Sequence, residues 1–182
     1  SVEFLVPLGL KSLLENWGAK NVTELDWWQQ VQRKGVTIQP TPVQHWSKRT
    51  FFDRNKTLWS GWMMQWSDFA FYFAGDAGYS PDFKETVKKL GNPDLAAIPI
   101  GAYEPRDFMK SAHINPEEAV KVFSDLGAKY AIGIHWGTFK LTLEPMNEPP
   151  IRLKNVLKAA GVDSKTFRTL KHGEMWPEVL PN

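Results

Sequence analysis

Residues 115–135 read NPEEAVKVFSDLGAKYAIGIH and contain the clearest helix and strand signals of the chain. Its first half looks like a helix start, because Asn115 can cap the first turn, a proline follows it, and Glu118 stands three residues later. The residues that follow favour a helix up to Leu126, and Gly127 is typical of a helix end. We therefore predict a capped helix over this first half.

The second half of the stretch is an apolar run, residues 130–134, which predicts a buried strand ending at His135. Further strands are expected at 4–6, 22–25, 28–32, 36–39, 95–100 and 167–170, a hairpin at 59–66 and 69–73, and helices at 10–17, 80–90 and 150–160. Hairpins followed by strand–helix–strand units are typical of sheets covered by helices, an α/β or α+β layered architecture. Without repeats or linkers, residues 1–182 should form part of a single domain.

Charge and composition narrow the function classes. The chain has 22 Lys+Arg against 20 Asp+Glu, a formal net charge of +2, and its basic residues are scattered, which argues against a nucleic-acid partner. With no cysteine, a transition metal would have to be held by His, Asp or Glu. No stretch approaches the roughly 20 apolar residues of a transmembrane helix. Localisation stays open between a soluble protein and one peripheral to a membrane.

Three side chains able to bind a divalent metal follow predicted strands, namely His45, Asp76 and His135. Strand ends are where layered folds gather their sites, so these side chains could converge. Each also has a structural explanation: Asp76 an ordinary Gly-Asp turn, His135 a buried histidine bonded to the backbone, His45 a surface-loop residue. They are ligand types that zinc accepts, although three ligands make only part of a two-metal site.

Five motifs come in one order along the chain: TPVQHW at 41–46, FAGDAGY at 73–79, AAIPIGAYEPR at 96–106, His113 with PEEA at 116–119, and IHWGTF at 134–139. This pattern resembles the N-acyl phosphatidylethanolamine phospholipase D group of the metallo-β-lactamase superfamily. The resemblance implies an αββα sandwich, of which this chain would be the C-terminal portion. It also implies zinc-dependent phosphodiester hydrolysis that yields phosphatidic acid and an N-acylethanolamine.

The resemblance also assigns residues. His45 matches a ligand of a first zinc, Asp76 the carboxylate that bridges two zincs, and His135 a ligand of the second. His113 matches a catalytic-site histidine that could contact the substrate phosphate or stabilise charge, or could simply order its loop.

Two further candidates are weaker. Tyr103 and Arg106 could line the substrate pocket, and an arginine there could pair with phosphate, but it could equally hold a loop. His172 is expected to be structural or exposed.

The family's H-x-H-x-D-H motif is absent, since the four histidines stand at 45, 113, 135 and 172. We expect those ligands in an N-terminal half before Ser1, which would leave this chain inactive alone. Alternatives are a related hydrolase of a soluble lactone or sugar phosphate, and a non-catalytic domain that keeps the fold. Expected partners are a phospholipid or other phosphodiester, the N-terminal half, a membrane surface contacted peripherally, and a second copy in a homodimer.

Overall fold

The computed structural model of the protein describes residues 2–176. The strands are β1 (Glu3–Pro7), β2 (Asn21–Leu25), β3 (Val31–Arg33), β4 (Val36–Thr41), β5 (Gly61–Gln65), β6 (Ala70–Phe73), β7 (Leu95–Pro99), β8 (Tyr130–Ile134) and β9 (Phe167–Thr169). The helices are α1 (Lys11–Asn16), α2 (Asp82–Leu90), α3 (Arg106–Met109), α4 (Pro116–Leu126) and α5 (Glu148–Ala159).

Two sheets are present in the described part of the chain. Strands β1 and β2 form a parallel pair, and β3 to β9 form a seven-stranded sheet in sequence order. Strands β3 to β6 are antiparallel neighbours, whereas β6 to β9 are parallel. Because β4 and β6 are both antiparallel to β5, they run in the same direction as β7 and β8. The carboxyl ends of these four strands therefore lie at one edge of the large sheet.

Helix α4 is the central helix of the covering layer, since it contacts β7, α2 and α5. Its predicted start is confirmed: the Asn115 side chain accepts a hydrogen bond from the Glu118 backbone N–H at 2.9 Å. Its end is also confirmed, because Gly127 adopts the left-handed conformation at φ 55°. The Glu118 carboxylate does not complete a capping box, however, because it pairs with Arg106.

The core lies between this helical layer and the sheet. Tyr72 on β6, Ile98 on β7, Ile114 and Val122 are all fully buried. Burying an aliphatic side chain of this size contributes about 1.5–3 kcal/mol. The core therefore anchors the strand ends that carry the candidate site.

Side chains of β4 and β6 approach each other closely across β5 at the same edge of the sheet. The hydroxyls of Thr41 on β4 and Tyr72 on β6 lie 3.2 Å apart, although β5 runs between their strands. Gly61 makes this contact feasible, since a Cβ there would lie 2.8 Å from the tyrosine hydroxyl and 2.9 Å from the threonine oxygen. A side chain at position 61 would separate the two hydroxyls.

The structure differs from the sequence-based predictions in two places. The strand expected at 28–32 begins only at Val31, because Trp28 adopts a left-handed backbone at φ 70° within a turn. The short helix α3 was not expected, and it lies within the connection between β7 and α4. Among residues 2–176, no helix combines the length and the apolar character needed to cross a membrane.

Candidate metal centre

Four side chains meet at the carboxyl edge of the large sheet. His45 lies on the loop after β4, Asp76 on the turn after β6, and His135 directly after β8. His113 lies between α3 and α4, on the long connection that follows β7. The common direction of these strands brings together residues that are far apart in sequence.

Asp76 is at the centre of the cluster. Its Oδ2 lies 3.4 Å from His45 Nε2 and 3.6 Å from His135 Nε2, and its Oδ1 lies 3.0 Å from His113 Nδ1. One ligand atom each from Asp76, His113 and His135 lie within 4.8 Å of one another. The structure thus brings together all four histidine and aspartate candidates for the site.

Two of the three distances to Asp76 fit a shared metal ion better than hydrogen bonds. Zinc bonds of about 2.0–2.2 Å in tetrahedral geometry place neighbouring ligand atoms roughly 3.3 Å apart. The 3.4 and 3.6 Å separations around Asp76 Oδ2 are close to that value and longer than an ordinary hydrogen bond. Asp76 Oδ1 and His113 Nδ1 are buried without a hydrogen-bond partner, although they face each other. Unpartnered buried polar atoms are rare in proteins, so this donor set fits a cation.

The protonation of the cluster also suits a cation. Burial lowers the pKa of His45 more than the neighbouring Asp76 raises it, which favours the neutral imidazole that metals bind. Burial raises the pKa of Asp76, but His113, His135 and His45 more than offset that effect, so its pKa lies below the usual value. The ionised form of the Asp76 carboxylate is therefore favoured next to a neutral His45 imidazole.

The tautomer of His45 follows from its other contact. Its Nδ1 lies 3.0 Å from the Ala112 carbonyl oxygen, which can only accept a hydrogen bond. The proton therefore sits on Nδ1, and the lone pair of Nε2 faces Asp76. Such a backbone contact is the usual way in which proteins orient a metal-binding histidine.

Backbone close approaches place His135 and the Asp76 turn. His135 has a left-handed backbone at φ 61°, which is strained for a residue with a side chain. Gly101 allows this arrangement, since a Cβ there would lie 2.3 Å from the His135 carbonyl oxygen. Gly78 similarly lets the Asp76 turn approach Ser111, whose carbonyl oxygen would lie 2.8 Å from a Cβ at that glycine.

An open groove leads to the cluster. His45, Asp76 and His113 form part of its wall. Its remaining lining is mainly apolar with two basic residues: Pro7, Leu10, Trp46, Ser47, Lys48, Arg49, Leu58 and Trp59. The groove therefore combines an apolar wall with positively charged side chains next to the candidate metal ligands.

Tyr103 and Arg106 lie outside this lining. Tyr103 is fully buried, and its hydroxyl donates to Glu148 Oε1 at 2.8 Å. Burial and then Glu148 raise the pKa of Tyr103. Arg106 donates to the His113 carbonyl oxygen at 2.7 Å and pairs with Glu118. Their contact with substrate stays a prediction, and the structure gives both side chains protein partners.

Other residues were not anticipated or are peripheral. Gln44 was not anticipated, and its amide donates to the Ser111 carbonyl oxygen at 2.9 Å, 67 positions away. Only its position next to His45 marked it in the sequence. Lys48 and Arg49, a basic pair close to His45, could have been found from that proximity. His172 is exposed, as expected, and its Nε2 lies 3.0 Å from the Thr138 hydroxyl.

The fold and this cluster define a member of the metallo-β-lactamase superfamily. The family model described as beta-lactamase superfamily domain matches residues 1–136, so the chain belongs to that family. Its fold is similar to that of a metallo hydrolase from Ignicoccus hospitalis, with a TM-score of 0.69 at 21% identity, over 95% of this chain and 67% of that one. The expected fold class is confirmed.

Two curated relatives indicate which group within the superfamily this chain resembles. The chain is 44% identical over 187 residues to the protein named N-acyl-phosphatidylethanolamine-hydrolyzing phospholipase D 1 of Caenorhabditis elegans, covering 96% of this chain and 52% of that protein. It is 36% identical over 171 residues to the mitochondrial protein of that name in Saccharomyces cerevisiae, covering 90% of this chain and 36% of that protein. The chain thus spans about half the length, or less, of these relatives. The resemblance inferred from the five motifs is confirmed.

Proposed function

We propose that this chain carries part of the active site of a zinc-dependent phosphodiester hydrolase, with phospholipase D-type cleavage of N-acyl phosphatidylethanolamine as its reaction. The observation that supports it best is the convergence of three histidines on Asp76, with ligand-like spacings and buried atoms that lack hydrogen-bond partners. The names of the two relatives support the substrate.

In this proposal Asp76, His45 and His135 hold the metal. Zinc supplies a Lewis acid that polarises the phosphoryl oxygen and acidifies water. The other parts of the proposal concern the protein: Asp76 keeps its carboxylate ionised among the histidines, and His45 is held in the tautomer that presents Nε2. His113 is next to the same carboxylate, where it can donate a hydrogen bond to a phosphoryl oxygen.

The groove suits a phospholipid. Lys48 and Arg49 give it positive charge close to the cluster, which attracts a phosphodiester, while Trp46, Leu58 and Trp59 offer apolar surface to acyl chains. A soluble lactone or sugar phosphate would make little use of that apolar wall.

Zinc stoichiometry tests the metal part. The printed sequence has no H-x-H-x-D-H motif, so we expect one weakly bound zinc, or none, per chain after dialysis. Two tight equivalents would contradict the proposal that further ligands are needed. Adding a segment that carries the motif at the N-terminus should raise the stoichiometry to two.

Activity of that extended protein tests the substrate. We expect it to release N-acylethanolamine from N-acyl phosphatidylethanolamine, and not to open a lactone or cleave a sugar phosphate. His113→Ala should keep both zincs and lose most of the rate, because removing one hydrogen-bond donor to the developing charge costs about 100- to 1,000-fold. Loss of zinc in His113→Ala would instead make His113 a metal ligand.

A further inference from the structure

We propose that residues 111–113 form a clamp that orients His45 and His113 around Asp76, and that Arg106 is the positioning residue that closes it. Each of the three consecutive carbonyl groups in this segment accepts a hydrogen bond from a different side chain. The proposal rests on the proposed function only where zinc affinity is measured, since the positions of the imidazoles can be observed without metal.

The first two carbonyls connect the segment to the loop after β4. The Gln44 amide donates to Ser111 O at 2.9 Å, and His45 Nδ1 donates to Ala112 O at 3.0 Å. The backbone of Gln44 is itself fixed, because its carbonyl accepts from the Gly78 N–H at 2.7 Å. These bonds fix the position of the His45 ring relative to the turn that carries Asp76. They also fix its tautomer, with the proton on Nδ1.

The third carbonyl connects the segment to the helical layer. Arg106 Nη1 donates to His113 O at 2.7 Å, and Nη2 of the same guanidinium makes a short contact with the Glu118 carboxylate. Glu118 lies in the first turn of α4, where its backbone N–H is bound by the Asn115 cap. Arg106 therefore links the position of His113 to the start of the best-defined helix.

The burial of this link argues for positioning rather than substrate binding. Only 22% of the Arg106 side chain and 12% of the Glu118 side chain are exposed. Breaking a buried ion pair by removing one partner is costly, because the other charge loses its compensation. The guanidinium would have to give up Glu118 and the His113 carbonyl to reach a phosphate in the groove. Its planar donor array instead serves both partners at once.

Removing Arg106 should therefore disturb the positions of both His45 and His113. Without Arg106, the His113 carbonyl loses its donor. The segment then keeps its bonds to Gln44 and His45, and the bonds from the Ala112 and His113 N–H groups to the Met109 carbonyl. The Ala112 carbonyl should then no longer hold His45 in one tautomer, and the His113 ring should move away from the Asp76 carboxylate. Outer partners of this kind typically change metal affinity by about 10- to 100-fold.

The test uses imidazole nitrogen NMR on the metal-free chain. The variant Arg106→Met with Glu118→Met removes the donor without leaving a buried carboxylate unpaired. Arg152→Met is the matched control, because Arg152 bridges Glu117, Glu148 and Glu104 but makes no bond to residues 111–113. Gln44→Ala is a milder variant at an exposed position that should stay folded.

We expect the wild-type chain and the Arg152→Met control to show His45 as a single Nδ1–H tautomer. The double variant should show a mixture of tautomers and a shifted His113 signal, with a smaller change of the same sign in Gln44→Ala. The single variant Arg106→Lys should keep part of the wild-type spectrum, because its ammonium can still donate to the His113 carbonyl but lacks the planar donor array of arginine. In the protein extended by the motif-bearing N-terminal segment, zinc affinity measured by chelator competition should fall about 10-fold in the double variant.

The proposal is overturned if the double variant keeps the wild-type imidazole spectrum, or if Arg152→Met changes it equally. If the double variant unfolds, Gln44→Ala decides, because an unchanged spectrum there would show that the segment does not orient His45. Failure of the proposed function looks different: the chain would bind no zinc even with the family motif added, while the tautomer results would stand.

Discussion

Two carboxylates on different connections have opposite surroundings: Glu144, between β8 and α5, is buried, whereas Asp76, between β6 and α2, is partly exposed. Glu144 accepts hydrogen bonds from the backbone N–H groups of Ala102, Tyr103 and Glu104 and from the Thr142 hydroxyl. Asp76 is surrounded by imidazoles and keeps a buried oxygen without a hydrogen-bond partner. A carboxylate with every acceptor satisfied stabilises a loop, whereas one with an unsatisfied atom among ring nitrogens is suited to a cation.

The largest expected effect is on metal binding at Asp76. In the protein extended by the motif-bearing N-terminal segment, Asp76→Asn should weaken zinc binding by at least about 100-fold, beyond the range found for outer partners, because it removes the central anionic ligand. The free energy of unfolding of the metal-free chain should change by about 1 kcal/mol or less, as for substitutions that break no packed or bonded feature. Chelator competition and urea unfolding measure the two quantities. A large loss of stability with unchanged zinc affinity would show that Asp76, like Glu144, stabilises the fold instead of holding a metal.

Gly101 links the two regions, because it precedes the loop bound by Glu144 and touches the backbone of His135. Gly101→Ala places a Cβ 2.3 Å from the His135 carbonyl oxygen, so the backbone must shift. Overpacking of this kind costs about 1–3 kcal/mol. We expect both lower stability in urea and a displaced His135 imidazole signal. Gly91→Ala meets no close atom but is strained by a positive φ, which Gly101 lacks, so the two variants separate backbone strain from overpacking.

Glu144 should matter for stability and not for metal. Glu144→Gln should cost about 2 kcal/mol of unfolding free energy, since hydrogen bonds to a charged group contribute about 1.5–3 kcal/mol and the amide cannot accept all of them. Zinc affinity should stay within a factor of two or so of the wild type, given that the carboxylate contacts no member of the cluster. A zinc defect as large as that of Asp76→Asn would show that the two carboxylates are not independent.

The smallest effect is on the pH dependence of stability. Burial raises the pKa of Glu144, but the Thr142 hydroxyl and the backbone N–H groups more than offset that effect, so its pKa in the folded chain lies below the usual value. Its contribution is therefore present above the unfolded pKa of about 4.3 and is lost as the pH falls through the folded value. Urea unfolding from about pH 6 to about pH 3 should show a shallower acid loss in Glu144→Gln. Parallel curves would contradict this assignment.

Local patterns predicted most elements because their signals are short-range. The cap at Asn115 and the end at Gly127 depend on residues within one turn, and the apolar run of β8 needs no distant partner. The strand expected at 28–32 failed because the Trp28 backbone conformation is set by its contact with β4, where its N–H donates to Pro40 O at 2.9 Å. Tertiary contact overrode strand propensity there.

The order of residues along the chain was enough to identify which groups could serve as ligands and that they follow strand ends, namely His45, Asp76 and His135. It could not tell that Arg106 faces the His113 carbonyl rather than the groove, nor that the Glu118 carboxylate leaves its cap for that arginine. The physical reason is the range of the interactions. Strand and helix patterns are encoded within a few residues, whereas the partner of a buried guanidinium or carbonyl is decided only when distant segments pack together.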